Sequence, residues 1–110
     1  MKKPTNAEKM NAAIAYVAHA EPNGWRLSRG LVDALTSKRA LTSAEDRELR
    51  KLLSREIDEG PADQGARLRA GTALLRARAG MVIEMIERGD QGLGWGRFLN
   101  QLRVVEAIAA

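Results

Sequence analysis

Apolar side chains recur along this chain every three to four residues, the period of an α-helix, in stretches separated by Gly, Pro and Asn-containing breaks. Met10, Ala13, Ile14 and Val17 make the first stripe. Thr5-Asn6-Ala7-Glu8 precedes it with the spacing of a capping box, in which the hydroxyl accepts from the Glu8 N–H and the carboxylate reaches back. Glu21-Pro22 and Asn23-Gly24 predict a turn, so the first helix should stop near Ala20. Trp25 and Leu27 would anchor the connection. Leu27, Leu31, Val32 and Leu35 predict a second helix over about Ser28 to Arg39, capped by Ser28 and weakened at its start by Gly30.

The third helix has the clearest start. Thr42-Ser43-Ala44-Glu45 is another capping box, and Glu45 and Asp46 fall in the first turn, where the helix dipole favours acids. Leu49, Leu52, Leu53 and Ile57 form its apolar stripe, and Asp46–Arg50 and Arg55–Glu59 have i,i+4 spacing. Gly60-Pro61 should end it, with glycine in the left-handed position and proline unable to continue.

The longest element is predicted over about 64–88, with Asp63 as its cap. At about 100° per residue, Leu68, Thr72, Leu75, Ala79, Val82 and Ile86 fall in one stripe, and Ala70, Leu74, Ala77, Met81 and Met85 lie on the far side. A helix apolar on two faces is normally central, with neighbours on both sides. Gly71 and Gly80 permit close backbone approach, and Gly80 leaves open a kink or a split. The glycines of 89–96 predict a loop. The last helix, about Gly96 to Ala109, presents Phe98, Leu99, Leu102, Val105 and Ala109 on one face with Trp95 before it. Strand-like alternation is missing. The expected fold is all-α, a compact bundle or orthogonal array of about five helices around the central one. It forms a single helical domain over 1–110, with a flexible basic tail at 1–5.

Composition changes this picture little. The 110 residues are 45% hydrophobic and 29% charged, ordinary for a globular chain. With no cysteine there is neither a disulfide framework nor a thiolate metal site. Lys2 and Lys3 imitate the start of a signal peptide, but Glu8 and Lys9 interrupt the apolar stretch that should follow. No window is apolar enough to span a membrane. The expected location is the cytoplasm.

The 18 basic and 14 acidic side chains leave a net charge of +4, with basic ends and a near-neutral middle. That surplus permits a nucleic acid or an acidic protein as partner without requiring either. Candidate chemistry is sparse. His19, the single histidine, stands at the end of the first helix with no nucleophile named by the sequence. Asp58, Glu59 and Asp63 read as acids at a helix end and a cap rather than as a catalytic pair. Gly92-Leu93-Gly94-Trp95-Gly96, with Arg97, invites a phosphate-binding reading. No strand leads into it, no Gly-Lys-Ser/Thr follows, and Trp95 is bulky where a cradle needs glycine. No cofactor, metal or small-molecule substrate is expected, and no enzyme.

Four arginines and no acid lie between Gln64 and Ile83. Arg67 and Arg78 form one ridge of the long helix, and Arg69 and Arg76 another. With Arg88 and Arg97 they are the candidate partner-binding residues. They either meet phosphates or acidic protein, or lay their stems over the core and pair with acids of the third helix. A helix-turn-helix over 28–58 has the right order, but Glu45, Asp46 and Glu48 would face phosphates and repel them. The expected function is therefore a non-catalytic interaction module, an adaptor or inhibitor docking on a larger protein or on its own copy, of a kind that suits a phage- or plasmid-borne modulator of a host machine. The alternative is a small nucleic-acid-binding regulator that uses the arginine ridges.

Overall fold

The computed structural model describes residues 3–19, 25–89, 92 and 94–109. They form α1 (Asn6–His19), α2 (Arg29–Ser37), α3 (Ser43–Glu56), α4 (Gln64–Glu87) and α5 (Trp95–Ala109), with no strand among the described residues. The all-α expectation holds, and α4 is one unbroken helix through Gly80. The chain divides into two compact units, Leu27–Leu75 and Met1–Arg26 with Arg76–Ala110, so each half of α4 belongs to a different unit.

In the unit Leu27–Leu75, Ser28 caps α2 by accepting from the Leu31 N–H at 3.3 Å, and its own N–H donates to Glu48 Oε1 of α3 at 2.8 Å. The helix ends at Ser37, two residues before the expected Arg39, because Lys38 turns left-handed at φ 59°. That turn sends Arg39 back along the structure. Its guanidinium donates to both Glu45 oxygens at 2.8 and 2.7 Å, to Asp33 Oδ2 at 2.7 Å and to the Gly30 carbonyl at 2.7 Å. Gly30 has a reason beyond local propensity, since a Cβ there would collide with Glu45 Oε2.

The capping box of α3 is complete: Thr42 Oγ1 accepts from the Glu45 N–H at 3.2 Å, and the Thr42 N–H donates to Glu45 Oε1 at 3.0 Å. The far end differs from the sequence expectation. The helix stops at Glu56, Ile57 is extended, and its N–H donates to the Leu53 carbonyl at 2.7 Å. The glycines in the left-handed region are Gly89 and Gly92, not Gly60. Glu59 therefore lies beyond the helix, out of i,i+4 register with Arg55. The connection that follows is shaped instead by Arg67, which takes the carbonyls of Pro61 and Ala62 at 3.2 and 2.9 Å.

Asp63 caps α4 as its position predicts, with Oδ1 accepting from the Ala66 N–H at 2.7 Å. Leu31, Leu35, Leu49, Leu53 and Leu75 are fully buried and make the core of this unit. The helices approach closely at Gly71, where a Cβ would stand 2.8 Å from Leu49 Cδ1 and 3.0 Å from Leu35 Cδ2. At the next residue, the Thr72 hydroxyl is shared between the Leu68 carbonyl at 2.7 Å and the Leu35 carbonyl at 3.1 Å, so a polar residue sits in the apolar stripe with its hydrogen bond met.

In the other unit, α1 presents the small buried residues Ala12, Ala13, Val17 and Ala18, which lets it pack against α5. Tyr16 meets Phe98 with ring centroids 5.3 Å apart, and Trp95 meets Phe98 edge-on at 5.6 Å. Such pairs add about 1 kcal/mol each beyond their buried area. Lys9 Nζ lies 5.4 Å from the centroid of the Trp95 ring and 2.7 Å from Glu87 Oε1. Trp95 is half-buried as the first residue of α5, one place earlier than expected, and the Phe98 N–H donates to the Gly94 carbonyl at 3.0 Å.

At the start of α1, Thr5 Oγ1 accepts from the Glu8 N–H at 3.2 Å. The Glu8 carboxylate accepts from the Thr5 hydroxyl rather than from its backbone, so only half of the expected box forms. The expected turn at 21–24 lies outside the described residues, as do residues 1 and 2 of the expected tail.

The two helical glycines of α4 respond oppositely to substitution. A Cβ at Gly80 meets nothing within 4 Å, so Gly80→Ala should raise stability by about 0.5–1 kcal/mol through helix propensity alone. Gly71→Val should lower it by about 1–3 kcal/mol by overpacking against Leu35 and Leu49. Urea unfolding followed by circular dichroism separates the two.

Candidate interaction surfaces

Of the six arginines singled out by the sequence, Arg67 and Arg69 belong to the unit Leu27–Leu75 and the other four to the other unit. Arg67 is 6% exposed, and its Nε donates to Asp46 Oδ1 at 2.8 Å while Nη1 holds the Pro61 and Ala62 carbonyls. It pairs with an acid of the third helix, one of the two roles its position suggests, and is spent within the fold. Asp46 accepts from Arg50 Nε on its other oxygen at 3.0 Å. Arg50 and Arg67, with Leu53, Ser54, Gly60, Pro61 and Ala62, line an open cavity of about 260 Å³. The two guanidinium groups share one carboxylate, which leaves a net positive charge, and Arg50 is the exposed member of the pair.

Arg69 is exposed in the same unit. In the other unit Arg76, Arg88 and Arg97 are exposed and Arg78 is half-buried. The residues of the proposed phosphate loop that are described, Gly92 and Gly94 to Arg97, bring no second cation beyond Arg97 to the α5 start by sequence. Among the described residues, no group of three or more His, Asp or Glu is placed to hold a metal ion.

The second apolar face of α4 is not covered as the two-sided pattern predicted. In the half that belongs to the unit with α1 and α5, Ala79, Val82 and Ile86 are buried. On the far side Ala77 is exposed, Met81 is 56% exposed and Met85 is 42% exposed. Spaced by four, these three form a single row on the helix surface. In the other half Ala70 and Leu74 are half-buried. The central position of α4 holds, but its far face is covered only in part, at Ala70 and Leu74, and is open at Ala77, Met81 and Met85.

The surface that sequence reasoning missed is the outer side of α3. Its first-turn acids do not face outward. Glu45 is buried between Arg39 and the Thr42 N–H, Asp46 bridges Arg67 and Arg50, and Glu48 accepts from the Ser28 N–H. Arg39, ahead of all else, and the Thr42 N–H hold the Glu45 carboxyl down to about 2, against an ordinary value of 4.5, and Glu45 with Asp33 raises Arg39 in turn. What lies outermost is Ser43, Ala44, Arg47, Arg50, Lys51, Ser54 and Arg55, all exposed. Part of this was available from the sequence: a capping-box Glu must turn back toward its cap. So was the Asp46–Arg50 pair, by its spacing, but not the partners that turn Asp46 and Glu48 inward, Arg67 and the Ser28 N–H, which are 20 or more residues away.

Two predictions follow from these contacts. Arg67→Ala leaves Asp46 with Arg50 alone and takes the donor from two carbonyls beside the cavity, and should cost about 1–3 kcal/mol, whereas exposed Arg69→Ala should stay within about 0.5 kcal/mol, as measured by chemical denaturation. The folded-state pKa of Glu45 is depressed, so its contribution is present above about 4.5 and lost as pH falls toward about 2. The urea midpoint should drop over that window, and Glu45→Gln should flatten the drop. No known protein family, curated protein or solved structure matches this chain.

Proposed function

We propose that this chain is a non-catalytic protein-interaction module, an adaptor or inhibitor, which docks through the Ala77, Met81 and Met85 row of α4. The observation that carries the reading is the exposure of two methionines one turn apart on a helix whose opposite side is buried. Methionine is flexible and polarizable, and it suits a surface that adapts to a partner. Arg76 and Glu84 are exposed on the same half of the helix and Arg88 just beyond its end, so the apolar strip is bordered by charges of both signs. The partner is a larger protein or a second copy of this chain. Small size and a simple helical architecture suit a phage- or plasmid-borne modulator of a host machine.

The nucleic-acid reading that used the α4 ridges loses support, because Arg67 is held by Asp46. No helix among the described residues is long and apolar enough to cross a membrane.

The test is a Met81→Glu, Met85→Glu double variant. Both sites are exposed, so its denaturation midpoint should match the wild type. Cross-linking in source cells and sedimentation in solution should each report loss of the partner or of the self-associated species, by about tenfold or more. A wild-type chain that sediments as a strict monomer, with a cross-linking pattern identical to that of the variant, defeats the reading.

A further inference from the structure

α2, the connection 38–42 and α3 follow one another in the order of a helix-turn-helix, with left-handed Lys38 supplying the bend. Judged by sequence, the second helix is too acidic at its start to approach phosphates. The contacts remove that objection. The carboxylates of Glu45, Asp46 and Glu48 are each turned to a partner inside the unit: Arg39 and Thr42, Arg67 and Arg50, and the Ser28 N–H. Glu56, the last acid of α3, is also engaged, and at about 100° per residue it lies on the side opposite Arg47.

On the side of the helix away from Glu56, which is itself exposed, the outward charge is all positive. Arg47, Lys51 and Arg55 are exposed and follow at four-residue spacing, so they share one row, with ammonium and guanidinium stems rooted about 6 Å apart along the axis. Arg50 stands beside the row with its side chain 61% exposed and only Nε committed to Asp46. The other outward residues, Ser43, Ala44 and Ser54, are small. No outward side chain on this helix is apolar and larger than alanine. A protein-docking face needs a buried aromatic or aliphatic anchor at its centre, and this face offers none. It offers a cationic row on a slender helix with small residues at its N-terminal end, where recognition helices approach base edges.

We propose that the outer face of α3 docks on duplex DNA, with Arg47, Arg50, Lys51 and Arg55 meeting backbone phosphates and α2 packed behind it. The major groove of B-form DNA, about 12 Å wide, admits an α-helix. The deep, narrow major groove of A-form RNA does not, and this selects DNA over duplex RNA as the source of the phosphates. The proposal goes beyond the protein-docking reading and uses other residues in the other unit, so either can fail while the other stands.

The experiment is fluorescence anisotropy of a labelled short DNA duplex of mixed sequence with the full chain, across a salt series. Four phosphate contacts predict a slope of log K against log salt of about −3.6, a loss in affinity on the order of 100-fold between about 50 and 200 mM. Arg47→Ala, Lys51→Ala and Arg55→Ala combined should bring the slope to about −1 and weaken binding at low salt at least tenfold. Arg47→Lys with Arg55→Lys should keep the slope, and Arg103→Ala, an exposed cation of α5, should leave it unchanged. Circular dichroism should be the same for all variants. Absence of binding at about 50 mM salt, a slope unaltered by the triple substitution, or competition by duplex RNA or polyglutamate as effective as that by unlabelled DNA would each overturn the proposal.

Discussion

A guanidinium taken out of water must have its charge answered and its donors met, or the surrounding fold becomes unstable. Arg67 is 6% exposed, and the way this chain meets its needs shapes the unit Leu27–Leu75. Asp46 supplies the counter-charge from α3 and the Pro61 and Ala62 carbonyls come from the connection ahead of α4. The connection is thereby closed around the arginine, after α3 has already ended at Glu56. Asp46 is drawn inward by the same contact, and an acid that would have faced solvent becomes part of the interior. The basic outer face of α3 is thus a consequence of how the interior is neutralised.

Arg39 repeats the logic on a smaller scale. Left-handed Lys38 ends α2 and returns Arg39 to Glu45, while the missing side chain of Gly30 leaves room for that carboxylate. Three acids of α3 are held in this way by three arginines, Arg39, Arg50 and Arg67, and by the Thr42 and Ser28 N–H groups, all from within the unit. The chain has a modest net charge of +4, yet charge is strongly segregated on this one helix. The other unit separates its residues by polarity instead, burying Ala79, Val82 and Ile86 and leaving Met81 and Met85 outside. One unit thus carries an exposed cationic row on α3, and the other an exposed pair of methionines on α4.

Helices were legible in the sequence because their signals are local. Ser28, Thr42 and Asp63 cap where their spacing predicts, and the Leu49, Leu52 and Leu53 stripe turns inward. The length of α4 followed from a period sustained over 24 residues. Local rules failed where distant groups decided the outcome. Arg67 reaches Asp46 across 21 positions and Ser28 reaches Glu48 across 20, so the direction of the acids on α3 could not be read from α3. The end of that helix was misplaced because Gly60-Pro61 is a strong stop signal, while extended Ile57 ends it sooner. On α4 the periodicity marked two apolar faces correctly but carried no information about how many neighbours would cover them.

The close approach at Gly71 ties three positions on three helices to one shared volume. Leu35, Leu49 and the bare Cα of residue 71 fill that space together, and a methyl group added at one place has to be removed at another. Neutral drift at any of the three is therefore conditional on the other two. In diverging descendants of this chain they would change in concert or stay fixed, so that a bulkier residue at 71 would arrive with a smaller one at 35 or 49.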